Sequence, residues 1–153
     1  MDCENHTCLP SGREIFYRVY NKLGYGFLEK VYENALMIEF KKEGIPTKAQ
    51  APIKVYYDNG EIIGEYCADI LVDDKVIVEI KATKKLVEEN EAQLLNYLRA
   101  TDIEVGLLFN FGPEPEIRRK AFDNRRKRNI KNLGNPCLTA GRCVYLRPKK
   151  LHH

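Results

Sequence analysis

Three ionisable residues interrupt segments that are otherwise apolar enough to form buried β-strands. Asp69 directly precedes the apolar run 70–72, while Glu79 and Lys81 lie within the apolar run 76–82. Because side chains alternate between the two faces of a strand, Glu79 and Lys81 share one face. Carboxylates bind divalent cations, and a neighbouring lysine can orient or deprotonate a metal-bound water. The chemistry that these residue types could support is metal-assisted hydrolysis.

A tight turn between the two runs predicts how these side chains meet. The sequence Asp73-Asp74-Lys75 is typical of such a turn, and a turn centred on Asp74 pairs residues whose numbers add to about 148. Asp69 then lies opposite Glu79. Two carboxylates facing each other across a ladder repel, and a divalent cation would remove that penalty. The alternative is a polar sheet face with a Glu79–Lys81 ion pair, and the residues alone leave both interpretations open.

Two polar stripes on predicted helices are further candidates. Glu29, Tyr32 and Glu33 are spaced three and four residues apart, and Gln93 and Tyr97 are four apart, so each set lies on one side of its helix. A solvated helix face presents the same pattern, and this alternative also stays open. The chain has no phosphate-binding glycine loop and no nucleophile-elbow motif.

Hydrophobic periodicity predicts the elements that would position these residues. Ser11 to Glu14 fits a capping box that begins a first helix, and Gly44 followed by Pro46 ends a second. The period then changes from helical spacing to alternation. The predicted N-terminal half has one helix that begins at Ser11, a second helix over 27–43, a strand that ends at Tyr57 and two strands over 61–72 and 76–82. A helix over 88–100, a strand over 105–111 and an edge strand over 117–122 are predicted to follow.

This order of elements predicts the fold class. A strand–helix–strand step after an antiparallel meander implies a mixed sheet with a right-handed crossover, in one α/β or α+β domain. The inner face of the second helix is expected to carry Leu28, Val31, Ala35 and Ile38.

Composition excludes several broad classes of protein. The chain has 153 residues, of which 44% are hydrophobic and 31% charged, which suits one domain with a core and excludes a disordered chain. Its apolar runs are much shorter than the roughly 20 residues that a membrane span needs. The first residues show no secretion signal, so the five cysteines are expected to be reduced thiols in a cytoplasmic protein.

Charge is distributed unevenly along the chain. Residues 1–112 hold 13 Lys and Arg against 19 Asp and Glu, whereas residues 113–153 hold 12 against 3. An acidic body with a basic C-terminal third suits a polyanion bound beside a cation-binding site. A basic solvated tail without a partner would show the same asymmetry.

The motifs together resemble a known family. The segment 24–33, Gly-Tyr-Gly-Phe-Leu-Glu-Lys-Val-Tyr-Glu, resembles the signature of the GxxExxY protein family, carried here by Gly26, Glu29 and Tyr32. That family belongs to the PD-(D/E)XK nuclease-like superfamily. The resemblance covers roughly residues 11–127 and continues in order through segments 65–69, 78–82, 91–98 and 106–112.

The resemblance implies a restriction-endonuclease-like core, with a mixed four- to five-stranded sheet flanked by helices. It matches Asp69, Glu79 and Lys81 to the superfamily's acidic, acidic-x-lysine site, although Ala68 stands where a proline often precedes the first Asp. It matches Glu29 to a helix carboxylate that completes the metal shell. It also matches Gln93 and Tyr97 to the QxxxY element near the active site in the RecB-like branch.

The expected function is a Mg²⁺- or Mn²⁺-dependent nuclease, a hydrolase of phosphodiester bonds in nucleic acid, with DNA the expected substrate. Glu29, Asp69, Glu79 and the Ile80 carbonyl would hold the metal. Lys81 would position the attacking water, and Gln93 and Tyr97 would orient Lys81 or the substrate backbone. The alternative is a catalytically silent nucleic-acid-binding or protein-interaction module of the same fold. Nucleases of this fold often act as homodimers.

The expected domain organisation places the nuclease-like domain at residues 11–127. Residues 1–10 would form a frayed N-terminus, and residues 128–153 a basic extension. Phosphate contacts, largely independent of sequence, are expected from a set of basic residues near the C-terminus. These are Arg118, Arg119, Lys120, Arg125, Arg126, Lys127 and Arg128.

Overall fold

A computed structural model of the chain describes residues 11–57 and 60–127. Both the predicted N-terminal segment 1–10 and the predicted extension 128–153, including Arg128, lie outside the described residues. The elements are α1 (Gly12–Leu23), α2 (Glu29–Lys42), β1 (Thr47–Tyr56), β2 (Ile62–Val72), β3 (Val76–Lys81), α3 (Glu88–Ala100), β4 (Val105–Phe111), β5 (Pro115–Ala121) and a short 3-10 helix, Asn124–Arg126.

The five strands form one mixed sheet in the order β1-β2-β3-β4-β5. Its neighbours pair antiparallel except β3 and β4, which are parallel and are joined through α3. The predicted meander, crossover helix and edge strand are therefore confirmed. Helices α1 and α2 pack on one face of the sheet and α3 on the other, each over its own apolar cluster.

The turn between β2 and β3 has the geometry that the sequence predicts. Asp73 and Asp74 have φ angles of 50° and 52°, as in the tight turns that join antiparallel strands. The ladder pairs Ile70 with Val78 and Val72 with Val76, so paired residue numbers add to 148. The connection between β1 and β2 includes positions 58 and 59, which lie outside the described residues.

Helix α1 begins as the capping box predicts. The Ser11 hydroxyl accepts the Glu14 backbone N–H, which is otherwise unpaired in the first turn. Ile15, Phe16 and Val19 are buried on the sheet side of the helix. The predicted start of this helix is therefore confirmed.

The predicted inner face of α2 is wrong at three of its four residues, and only Ala35 packs against the core. Leu28, Val31 and Ile38 are exposed, whereas Tyr32, Leu36 and Phe40 are buried together with Glu33 and Glu39. The helix is turned this way because its buried polar groups have partners distant in sequence. The Tyr32 hydroxyl donates to the Gly24 carbonyl at 2.8 Å and its ring stacks on Phe111 at 4.0 Å. Arg18 and Lys22 of α1 pair with Glu39.

The structure bears on two further sequence-based expectations, the lack of a membrane-spanning segment and the reduced state of the cysteines. Across residues 11–57 and 60–127, no helix is both long enough and apolar enough to span a membrane. Cys67 is disulfide-bonded, so the prediction of a reduced thiol is wrong at this position. The other four cysteines, at positions 3, 8, 137 and 143, lie outside the described residues.

Candidate active site

Asp69 and Glu79 lie side by side where the β2–β3 ladder ends. Beyond the Ile70–Val78 pair, carboxylates replace the backbone acceptors of the ladder. The Ile80 N–H donates to Asp69 Oδ2 at 2.8 Å, and the Asp69 N–H donates to Glu79 Oε1 at 3.2 Å. Each residue is only 5% exposed. The structure thus brings together the two acidic residues that the turn sequence places opposite each other.

A bend in the sheet directs these carboxylates. Ala68 packs in the α3-side cluster while Ile70, two residues later, packs under α1 and α2, so the strand's alternation is interrupted at Asp69. On β1 the same level is occupied by Gln50, between residues that pair with Ile70 and Ala68. Gln50 has a φ angle of 53°, a left-handed conformation that is uncommon for glutamine. Nothing in the local sequence signals this bend.

The bend is linked to α2 through Glu33. Gln50 Nε2 donates to Glu33 Oε2 at 2.9 Å, and Lys30 Nζ lies 2.8 Å from Glu33 Oε1. Glu33 is 1% exposed, whereas Glu29 is half-buried at the first residue of the helix. The sequence placed both glutamates on one polar stripe, but the burial of Glu33 depends on how α2 is rotated. Glu33, which the helical spacing placed on this stripe but the family resemblance did not assign to the metal, is therefore a candidate site residue.

Tyr97 and Gln93 border the two carboxylates from the α3 side of the sheet. Gln93 Nε2 donates to the Tyr97 hydroxyl at 2.8 Å. Burial raises the pKa of Tyr97 above its usual value, and the negative charges of Glu79 and Asp69 raise this pKa further. The phenol therefore stays protonated and can donate a hydrogen bond. Of the pair that the helical spacing singled out, Tyr97 lies near enough to the acidic residues for their charges to act on its pKa, and Gln93 is bonded to Tyr97.

Lys81 ends β3 on the strand face that it shares with Glu79. Ile77, on that same face, packs in the α3-side cluster, and Lys81 itself is half-buried. In the parallel ladder Lys81 is paired with Asn110, which is completely buried.

Asn110 fixes the chain just after Lys81. Its Oδ1 accepts the Thr83 N–H and its Nδ2 donates to the Thr83 carbonyl, both at 3.0 Å. Asn110 Nδ2 also donates to Glu116 Oε1, which accepts the Leu86 N–H. Strands β4 and β5 thus hold the segment that follows Lys81. Sequence reasoning did not identify Asn110 because its role depends on the β3–β4 pairing.

The predicted basic residues differ in how far they are available to a phosphate. Arg119 is exposed, whereas Arg118 and Lys120 lie 3.6 Å and 3.4 Å from Glu91, and Arg125 pairs with Asp123 at 2.6 Å. Arg126 stacks over the Phe122 ring.

Lys127 is buried, and its ammonium group serves the fold. Lys127 Nζ donates to the carbonyls of Thr101 and Ile103 at 2.9 and 2.6 Å. Burial lowers the pKa of Lys127. The structure thus commits this ammonium to backbone acceptors, in contrast to the exposed guanidinium of Arg119.

The donor set fits a divalent cation in part. Asp69 and Glu79 supply two adjacent carboxylates, and Mg²⁺ commonly takes one or two carboxylates, with water and substrate phosphate oxygens completing its shell. Among residues 11–57 and 60–127, however, no group of three or more His, Cys, Asp or Glu side chains is arranged to hold a metal ion. Two protein carboxylates with solvent and substrate ligands are therefore the arrangement that these residues support.

Comparison with known proteins identifies the family. Residues 11–120 match the model of the PD-(D/E)XK nuclease superfamily, and the chain belongs to this superfamily. No curated protein matches the chain.

One solved structure shares the fold. The crystal structure of SSO0001 superposes with a TM-score of 0.52 at 16% sequence identity, over 62% of this chain. The match covers 50% of the SSO0001 chain, so this chain corresponds to about half of that protein's length. The matched segment of the superfamily contains the Asp69–Glu79 pair, Lys81 and the Gln93–Tyr97 pair.

Proposed function

We propose that this chain is a divalent-metal-dependent nuclease that hydrolyses phosphodiester bonds in DNA, and that it belongs to the GxxExxY family within the superfamily. The observation that carries the proposal is the Asp69–Glu79 pair, in which two nearly buried carboxylates are fixed by each other's strand. Burying two adjacent carboxylates is costly unless their charge is compensated. A divalent cation bound to both side chains would offset the repulsion between their negative charges during function.

Asp69 and Glu79, together with the Ile80 carbonyl, are the residues that would hold Mg²⁺ or Mn²⁺. Such an ion supplies a polarised phosphate and a water of lowered pKa. Lys81, on the strand face of Glu79, would orient the attacking water and balance the charge that develops on the phosphate oxygens. Tyr97, whose hydroxyl stays protonated, would donate a hydrogen bond to the attacking water that Lys81 orients or to the substrate backbone. Gln93 would hold the Tyr97 hydroxyl in position.

Beyond the two carboxylates that would bind the metal directly, a helix carboxylate would act on the ion through a metal-bound water, and α2 offers two candidates. The family resemblance assigns this role to Glu29, whereas burial and the Gln50 bridge to the bend at Asp69 favour Glu33. Replacing each by glutamine separates the two assignments, because only the residue that acts on the metal will change the Mn²⁺ concentration needed for half-maximal cleavage.

The test is cleavage of single-stranded, duplex and branched DNA with Mg²⁺ or Mn²⁺. Glu79→Gln and Lys81→Ala are expected to lower the rate by at least a hundredfold, since each removes a group that acts on the reacting water or phosphate. Glu65→Gln, an exposed carboxylate on β2, is the matched control. Cleavage by Glu79→Gln at the parental rate would contradict the proposed chemistry.

The absence of a three-carboxylate group among the described residues favours one second candidate, a silent nucleic-acid-binding module. Calorimetry with Mn²⁺ discriminates between the two. A nuclease should bind Mn²⁺ and lose that binding in Asp69→Asn, whereas a silent module should bind DNA equally well in both forms and cleave none.

A further inference from the structure

A groove runs beside the candidate active site, between the β1–β2 hairpin and α3. It encloses a cavity of about 560 Å³, within the size range of small-ligand sites. Tyr56 and Tyr66 line it from the hairpin, and Gln93, Asn96 and Tyr97 line it from α3. The groove therefore combines aromatic surface with side-chain amides, and its inner end reaches the active-site tyrosine.

The aromatic wall of the groove is held in place by its neighbours. The Tyr66 ring lies 5.6 Å from the Tyr97 ring, with the planes inclined at 45°. The Tyr66 ring also lies across Gly64, where an added Cβ would approach Tyr66 Cε2 to 3.2 Å. Glycine at position 64 thus leaves room for this ring orientation.

The charge of the groove favours binding of a neutral base over binding of a phosphate. Glu89 and Arg99 both line the cavity, so its formal charges cancel. The Arg99 guanidinium already lies over the Phe122 ring at 5.3 Å. A phosphate finds no net positive charge here, whereas a neutral base finds ring faces for stacking and the Gln93 and Asn96 amides for hydrogen bonds to its edge.

We propose that this groove binds an unstacked nucleobase of a single-stranded nucleic acid, next to the phosphate that a metal ion bound to Asp69 and Glu79 would hold. The inference rests on the proposed function for the position of that phosphate. A base in a duplex is stacked on both faces and must leave the helix to enter such a pocket. The groove therefore selects substrates that carry an unpaired nucleotide beside the bond to be cut.

The test measures binding apart from cleavage, by fluorescence anisotropy of a labelled single-stranded DNA oligonucleotide in EDTA. Tyr66→Leu keeps apolar volume and removes the stacking face, and it is expected to weaken binding about tenfold, within the range for loss of one base–aromatic stack. The slope of log affinity against log salt should not change, since no charge is removed. Tyr57→Ala, an exposed tyrosine on the same hairpin outside the groove, is the matched control.

An abasic oligonucleotide series gives a second, independent measurement. Removing the base that the groove holds should weaken binding to the parent about tenfold at one position, and should weaken binding to Tyr66→Leu little further. Equal affinity of the parent and Tyr66→Leu, or no effect of any abasic position, would overturn the subsite. So would tighter binding of a blunt duplex than of the single strand.

These outcomes separate the subsite from the chemistry. If the protein cleaves DNA with Mn²⁺ but neither Tyr66 nor any base affects affinity, the subsite is wrong and the nuclease assignment stands. If affinity depends on Tyr66 and on one base but nothing is cleaved, the subsite stands and the nuclease assignment is wrong.

Discussion

Asp69 and Glu79 each accept a backbone N–H from the other's strand, at 2.8 Å from Ile80 and 3.2 Å from Asp69 itself. The two acidic side chains therefore form part of the hydrogen bonding between β2 and β3 where the regular ladder stops. Each side chain thus accepts a backbone hydrogen bond that stabilises the fold and is also a proposed metal ligand. Substitutions that keep the hydrogen bond but remove the charge can separate the effect on stability from the effect on activity.

Asp69→Ala and Asp69→Asn should differ in stability while both lose cleavage. The alanine leaves the Ile80 N–H buried without an acceptor, which costs about 1–3 kcal/mol. The asparagine keeps an oxygen that can accept this bond, so we expect a smaller loss in the free energy of unfolding by urea. Both variants should be at least a hundredfold slower in cleavage, because the ligand charge is gone. An Asp69→Asn variant that cleaves normally would exclude a metal-binding role.

Asn110→Ala should weaken both the fold and catalysis. It removes the bonds to the Thr83 N–H and carbonyl, and leaving these partly buried groups unpaired costs about 1 kcal/mol in the free energy of unfolding. Because Asn110 holds the segment that follows Lys81, kcat should fall about tenfold with little change in KM, as expected for a misplaced group. Asn34→Ala, exposed on α2, is the control. Unchanged stability would show that these bonds contribute little.

Glu39 makes stability depend on pH in the acid range. Lys22, with Arg18 and Lys42, lowers the pKa of Glu39 from 4.5 to about 2. A carboxyl group whose pKa is lower in the folded state stabilises the fold above its unfolded pKa, and this contribution disappears as pH falls from about 5 to about 2.

The measurement compares the parent with Glu39→Gln across this pH range. The parent should be more stable by about 1 kcal/mol at pH 7, a modest value since the partner cations are partly exposed to solvent. The difference should decrease steadily toward pH 2 and vanish below it, where Glu39 is protonated in both the folded and the unfolded state. A difference that stays constant with pH would mean that the charge of Glu39 is not what stabilises the fold.

Arg119 and Lys127 should affect DNA binding differently, although both belong to the basic C-terminal set. Arg119→Ala removes an exposed cation and should reduce the slope of log affinity against log salt by about 1. Lys127→Met should leave this slope unchanged and instead lower the free energy of unfolding by about 1–3 kcal/mol, because the carbonyls of Thr101 and Ile103 lose their donor. A salt slope that changes in Lys127→Met would place its ammonium on the nucleic acid.

The apolar periodicity of α2 does not predict which side of this helix is buried. The apolar spacing of Leu28, Val31 and Ile38 predicted the buried side, yet these residues are exposed. The buried side holds Glu33 and Glu39, whose charges are compensated by cations and by Gln50. Periodicity counts apolar residues and cannot register a carboxylate whose partner comes from another element.

The pairing of Asp69 with Glu79 was determined by the sequence itself, because a short tight turn fixes the register of the two strands that it joins. The order of elements and the mixed sheet followed in the same way from local patterns. Only the tertiary structure decided the bend at Gln50, the burial of Glu33 and the contacts of Asn110 and Lys127, since each depends on segments distant in sequence that meet after the sheet and helices have packed.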